Sequence, residues 1–161
     1  MSVNVYKPHV LVLPEDDADR QIATGFLLDP SLKPRNIQIL TPSGGWGKVL
    51  DSFVRDHING LRKYPHRHLV LLIDFDGKVD ERRAKFSEQF PDDVRDRVFL
   101  LGTSDEPEPL RKQCGDSYEN IGKQLAGECC RDETDLWNHS LLVHNALERL
   151  RLNAKVKSIL F

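Results

Sequence analysis

The chain has 161 residues, 39% of them hydrophobic and 30% charged, which is enough for one α/β core and too few for two. With 10 Gly and 9 Pro it is neither low-complexity nor disordered in composition. Its 23 basic and 25 acidic side chains leave a net charge of -2, which excludes binding to nucleic acid through overall positive charge and requires any contact with a polyanion to be local. The N-terminal residues lack a basic stretch followed by an apolar run and a small-residue cleavage site, and no stretch approaches the ~20 apolar residues of a membrane span. A cytoplasmic protein without membrane contact is expected. Cys114, Cys129 and Cys130 form an odd set with an adjacent pair, a poor disulfide framework, so reduced thiols are expected.

Four short apolar runs with helix-like stretches between them predict a parallel sheet built by crossover connections. The first run is His9 to Leu13, and Ile22, Ala23, Phe26 and Leu27 then share a helix face that ends before Pro30. The second, Asn36 to Leu40, is followed by Val49, Leu50, Phe53, Val54, Ile58 and Leu61, an amphipathic helix stopping near Gly60. The third, His68 to Ile73, shows no polar alternation, as expected for a central strand covered on both faces. Glu81 to Phe90 predicts a charged helix and Val98 to Leu101 the fourth strand. Beyond the turn-rich segment Ser104 to Pro109 the chain reads as helical, with Tyr118, Ile121 and Leu125 on one face and Leu136, Leu142, Leu147 and Leu150 on another. Val156 to Phe161 reads as a terminal strand or a docked tail.

In open parallel sheets ligands bind at the carboxyl ends of the strands. Glu15, Asp16 and Asp17 follow the first strand, Asp74 and Asp76 the third, and Asp105, Glu106 and Glu108 the fourth, so three acidic groups fall at one sheet edge. Carboxylates within ~4 to 6 Å of one another raise each other's pKa unless a cation compensates them. Magnesium accepts oxygen ligands, using one or two carboxylates and leaving other positions to water or phosphate. Each cluster also has a plainer reading: Asp16 or Asp17 as a helix cap, and Asp76 in an Asp-Gly turn with Gly77. Capping does not explain why Asp74, at the end of the most apolar strand, is a charge in need of a partner.

The strand ending in Glu15 and followed by a helix, with a later strand ending in Asp74-x-Asp76, resembles the Toprim domain. That domain is shared by type IA and type II topoisomerases, bacterial primases, recombination-repair proteins and overcoming-lysogenisation-defect nucleases. The likeness covers roughly residues 8 to 105. It implies a Rossmann-like Toprim fold, a mostly parallel four-stranded sheet flanked by helices, with residues 106 to 161 as a helical extension of the same domain. It also implies that Glu15 transfers protons and that Asp74 and Asp76 bind Mg2+, for which Mn2+ can substitute. Asp105, Glu106 or Glu108 would supply the further acid seen in nuclease members. Family members usually carry Gly after the glutamate, where this chain has Asp16. With no room for the further domains of topoisomerases or primases, the chain looks most like small stand-alone Toprim proteins, and the implied activity is metal-assisted hydrolysis of nucleic-acid phosphodiesters.

For gripping DNA or RNA the best segment is Ser43 to Lys48. Backbone N–H groups at Gly44 and Gly45 with Lys48 can cradle a phosphate while Trp46 stacks on a base. It is not a Walker loop, since Pro42 and Val49 stand at two of its fixed positions, and the plainer reading is a helix start with a tight glycine turn.

Three other readings stand beside this one. A two-component receiver would use Asp74 as phospho-acceptor and Thr103 as switch hydroxyl, although Lys112 lacks the strand before it and the proline after it that receivers show. A haloacid-dehalogenase reading would use Asp74 as nucleophile and Asp76 as acid, although some 70 residues precede a motif that normally opens that fold. A non-catalytic, metal-stabilised binding module would offer the helices from Tyr118 to Arg151 to a protein partner. Cys129, Cys130, His139 and His144 have poor zinc spacing and read as buried thiols and surface histidines. Tyr64-Pro65-His66-Arg67-His68 is a basic patch able to meet phosphate, or a solvated strand entry.

Overall fold

The computed structural model describes residues 2–161. Strands β1 (His9–Pro14), β2 (Ile37–Ile39), β3 (Arg67–Leu72) and β4 (Val98–Leu101) form one sheet in the order β2-β1-β3-β4, with every neighbouring pair parallel. The fold is α/β and Rossmann-like, and the sheet is entirely rather than mostly parallel. Leu11 lies opposite Leu69, and Leu69 opposite Val98. Parallel neighbours need long crossovers, here carried by helices. These are α1 (Asp17–Phe26), α2 (Trp46–Ser52), which runs through a π-helical turn at Phe53–His57 into α3 (Ile58–Lys63), and α4 (Val79–Glu88). After β4 come α5 (Pro107–Cys114), α6 (Tyr118–Arg131) and α7 (Ala146–Leu160).

Because side chains alternate across a strand, each strand feeds two cores. Leu11, Leu13, Leu69, Leu71 and Ile73 face Val49, Phe53, Leu61 and Phe86 of the α2–α3–α4 layer. Val10, Val12, Val70, Phe99 and Leu101 face Ala23 of α1 and Leu152, Val156 and Leu160 of α7. A third core lies outside α1, where Ile22 meets Leu110, Ile121, Leu125 and Cys129. The α1–α6 contact is backbone on backbone: a Cβ on Gly122 would lie 1.9 Å from the Ile22 carbonyl oxygen, and one on Gly25 would lie 2.0 Å from that of Glu119. Within α6 the buried Glu128 carboxylate accepts the N–H groups of Leu136 and Trp137, fixing the turn that follows the helix.

The outer margin of β4 is met by side chains. Asn145 accepts from Gly102 N–H at 3.2 Å and donates to Gly102 C=O at 2.9 Å, Glu148 accepts from Leu100 N–H at 3.1 Å, and Arg151 donates to Val98 C=O.

Several expectations are corrected. The second helix does not stop at Gly60 but runs on to Lys63, and the absent Gly60 side chain leaves space for the Arg67 guanidinium, 2.8 Å from where a Cβ would stand. The last residues are neither strand nor tail: they complete α7, whose Val156 and Leu160 pack on the sheet. Leu147 and Leu150 do not share a buried face with Leu136 and Leu142. They are 83% and 57% exposed, since turns and a short 3-10 segment separate Asp132 from Ala146 and reset the helical phase. His144 is half-buried against Phe75, with ring centroids 5.3 Å apart, rather than a surface residue. No helix among the described residues is long and apolar enough to cross a membrane.

Candidate metal centre

The carboxyl ends of β1 and β3 are tied together by backbone pairing that outlasts the strands. Glu15 N–H donates to Leu72 C=O at 2.8 Å, and beyond β3 the N–H groups of Ile73 and Phe75 donate to Leu101 and Thr103, each at 3.0 Å. Alternation sends Ile73 and Phe75 into the α2–α4 core and turns Asp74 toward the face covered by α1. Here α1 begins. Asp16 is its N-cap, its carboxylate accepting from Asp19 N–H at 3.0 Å, which bears out the capping expectation for that residue. Asp17 points outward to Arg20 and Gln21.

Asp19 lies on the inner face of α1 in line with Ile22, Ala23 and Phe26, and is only 1% exposed. Glu15, Asp16, Asp19 and Asp74 each bring one carboxylate oxygen to a common point, all within 4.8 Å of one another. Glu15 and Asp74 are 7% and 5% exposed. Glu15 Oε1, both Asp19 carboxylate oxygens and Asp74 Oδ1 are buried without a hydrogen-bond partner.

The charges cannot all persist in this setting. Burial, then the neighbouring Asp74, pushes the Asp19 carboxyl far above the ordinary carboxylate range, so that it keeps its proton. Burial raises Asp74 to about 8, with Glu15 and Asp16 adding to the rise, and burial likewise raises Glu15. Four oxygen donors around one point, most without a protein donor, suit a hard divalent cation, and none is a nitrogen or sulfur ligand that would favour a softer metal. A buried acidic cluster able to hold a metal ion therefore sits where the third strand ends.

Asp74 and Glu15 thus come together, as expected from their positions at the ends of adjacent strands, while Asp76 takes another direction. The chain turns at Phe75–Lys78, closed by Lys78 N–H to Phe75 C=O at 2.8 Å, with Asp76 at φ 52 and Gly77 at φ 75. The Asp-Gly turn is therefore present, and it swings the Asp76 carboxylate onto Arg82 at 3.2 Å. Asp76 still lies near enough to help raise the Glu15 pKa. Arg82, 6% exposed, also reaches the Asp74 carbonyl at 3.4 Å and lies 4.1 Å over the Trp46 ring. Asp105 and Glu106 are exposed and stand outside the cluster: the Asp105 carboxylate accepts from Glu106 N–H, and Glu106 precedes α5. Glu108 pairs with Lys112 at 3.4 Å.

The loop before α2 rests on the exit of β1. Ser43 N–H donates to Pro14 C=O at 3.1 Å and Gly44 N–H to Glu15 C=O at 2.8 Å, with Gly44 at φ 93 and Gly45 at φ 148, a backbone that side chains disfavour. Lys48 is exposed, and Trp46 is half-buried between Arg82, Lys85 and Phe86.

Asp16 and Asp19 are the members of the cluster that the sequence analysis did not single out as ligands. The signal for Asp19 was present: spacings of three, one and three from Asp19 to Ile22, Ala23 and Phe26 put a carboxylate on the apolar stripe of a helix, where charge is costly without a partner. Comparison of the chain with protein-family models, curated proteins and solved structures finds no match.

Proposed function

We propose that the chain is a Toprim-like domain that hydrolyses nucleic-acid phosphodiesters with the help of a divalent cation, Mg2+ or Mn2+. The observation that supports this most is the set of buried, partnerless carboxylate oxygens of Glu15, Asp19 and Asp74 converging with Asp16 at the carboxyl ends of β1 and β3. Asp16, Asp19 and Asp74 would hold the ion. When bound, such an ion neutralises phosphate charge and lowers the pKa of water at the site.

Glu15, whose pKa burial raises, is placed to move a proton to or from the reacting oxygens. The Gly44–Lys48 segment, anchored on the Glu15 carbonyl, positions a substrate phosphate through Lys48. Arg82 pairs with Asp76, whose charge still helps raise the Glu15 pKa.

The test uses purified chain with labelled single- and double-stranded DNA and RNA, with Mg2+, Mn2+ or a chelator. Cleavage should need the ion and disappear in Asp74→Ala while the circular dichroism spectrum stays folded. Metal-independent cleavage, or none with any substrate, defeats the proposal.

One observation favours a second reading, a receiver-like phospho-acceptor: Thr103, 2% exposed, follows β4 beside the strand that ends in Asp74. Against it, the described residues after β4 form helices and no fifth strand. Incorporation of phosphate at Asp74 from an acyl phosphate would favour the receiver over the hydrolase.

A further inference from the structure

The end of the sheet remote from the carboxylates carries an arrangement of opposite sign. Where α3 hands over to β3, the Arg67 guanidinium lies 4.6 Å from the Tyr64 ring centroid, and its Nε donates to His9 Nε2 at 3.0 Å. His9 is 1% exposed and its Nδ1 sits 2.7 Å from the Lys7 carbonyl, so Nδ1 carries the proton and the ring is neutral. Burial lowers the His9 pKa, and Arg67 adds to the fall. Arg97 donates to the carbonyls of Tyr64 and Arg67 at 3.2 and 3.0 Å.

Both arginines are thus held by neutral acceptors, and neither meets a carboxylate among the described residues. The neighbouring Asp93 is taken by Arg62 at 2.8 Å. Lys63 lies 5.4 Å over the Tyr64 ring. Tyr6, 81% exposed, makes an edge-type contact with Tyr64, with centroids 6.2 Å apart and ring planes at 73°, and leaves most of its side chain to solvent.

We propose that this end of the sheet is a contact surface for single-stranded nucleic acid, with phosphates lying against Lys63 and Arg67 and a base stacked on Tyr6. Single strands are bound by combining cations that track the backbone with aromatic faces that accept any base, and this surface offers both within one patch. An acidic peptide would use the cations but leave the exposed Tyr6 ring without a role. A double helix keeps its bases stacked internally and would likewise leave Tyr6 unused. From Arg67 to Asp74 the strand geometry gives about 20 Å, so this contact is separate from the carboxylates and stands whether or not they hydrolyse anything.

The experiment is fluorescence anisotropy of labelled oligo(dT) and oligo(U) of about 12 nucleotides, in chelator so that no ion-dependent reaction intervenes. Wild type should bind with an affinity that falls as salt rises. Tyr6→Ala should weaken binding about tenfold, while Tyr6→Trp should retain it. Lys63→Glu should weaken binding and flatten the salt dependence. Tyr6 and Lys63 are both exposed, so these variants keep the fold, which circular dichroism checks. The proposal is overturned if wild type fails to bind at low salt or if the Tyr6 and Lys63 variants bind as wild type does. Displacement by polyglutamate at equal charge would also overturn it, marking an acidic-protein surface instead. Because chelator is present throughout, failure of this binding leaves the ion-dependent cleavage assay untouched, so the outcome is distinguishable from failure of the hydrolase reading.

Discussion

The two ends of the same parallel strands face opposite problems. At the carboxyl ends, Glu15, Asp16, Asp19 and Asp74 are driven together and mostly buried; at the amino ends, Arg67 and Arg97 are gathered beside neutral groups and left partly in solvent. Parallel βα connectivity accounts for the polarity. It sets the start of α1 beside the carboxylates and the end of α3, with Arg62 and Lys63, beside the arginines, so each helix dipole favours the charges found there. A helix end contributes only about 0.3–1 kcal/mol per charge, however, far too little to keep several carboxylates ionised in a buried site. The comparison teaches that burial rather than charge sign sets the response. The acidic end is expected to respond to protons and divalent ions, and the basic end to ionic strength.

The largest expected effect breaks the acidic end through its backbone. A Cβ at Gly102, where φ is +157, would lie 1.6 Å from the Ile73 carbonyl oxygen. Gly102→Ala should therefore separate β3 from β4 and lower stability by about 3 kcal/mol in urea unfolding. Next, a divalent ion at 100 times its Kd should raise stability by about 2.7 kcal/mol in wild type, and Asp19→Asn should remove most of that gain while stabilising the ion-free chain at pH 8. Equal melting temperatures with and without ion would count against the metal centre.

The third expectation concerns pH. Asp74 titrates near 3.8 in an unfolded chain and at about 8 when folded, and Asp19 is also raised, so between about pH 4 and 8 the folded state holds the extra protons. Protonation then favours folding, and stability falls as pH rises. The urea midpoint of the ion-free chain should drop from pH 5.5 to pH 8, the drop should shrink in Asp74→Asn, and saturating Mg2+ should flatten it. The smallest effect sharpens the boundary of the site. Asp76 is 42% exposed in its pair with Arg82, so Asp76→Ala should cost about 1 kcal/mol or less and leave the ion's effect on melting temperature nearly intact.

Much of this was legible in residues. The uninterrupted run from Leu69 to Ile73 marked a strand buried on both faces, and the positions of Glu15 and Asp74 after neighbouring strands placed them at one edge. Asp76 shows why spacing alone does not settle direction. Two residues after Asp74 it would share a face in an extended strand, but the positive φ of Asp76 and Gly77 turns it onto Arg82. Gly60 shows the converse: a residue that usually ends helices sits inside one, and the space its missing side chain leaves is taken by a distant arginine. The outward Leu147 and Leu150 were misjudged because a leucine count carries no phase across an irregular segment.

Asn145, Glu148 and Arg151 have a consequence for how copies of this chain meet. A border strand with vacant N–H and C=O groups is a template on which another molecule can extend the sheet, the first step toward aggregation. By occupying the groups of Val98, Leu100 and Gly102 with side chains of Asn145, which caps α7, and of Glu148 and Arg151 in its first turns, the chain denies that template to its neighbours at β4 without needing a proline or a bulge there.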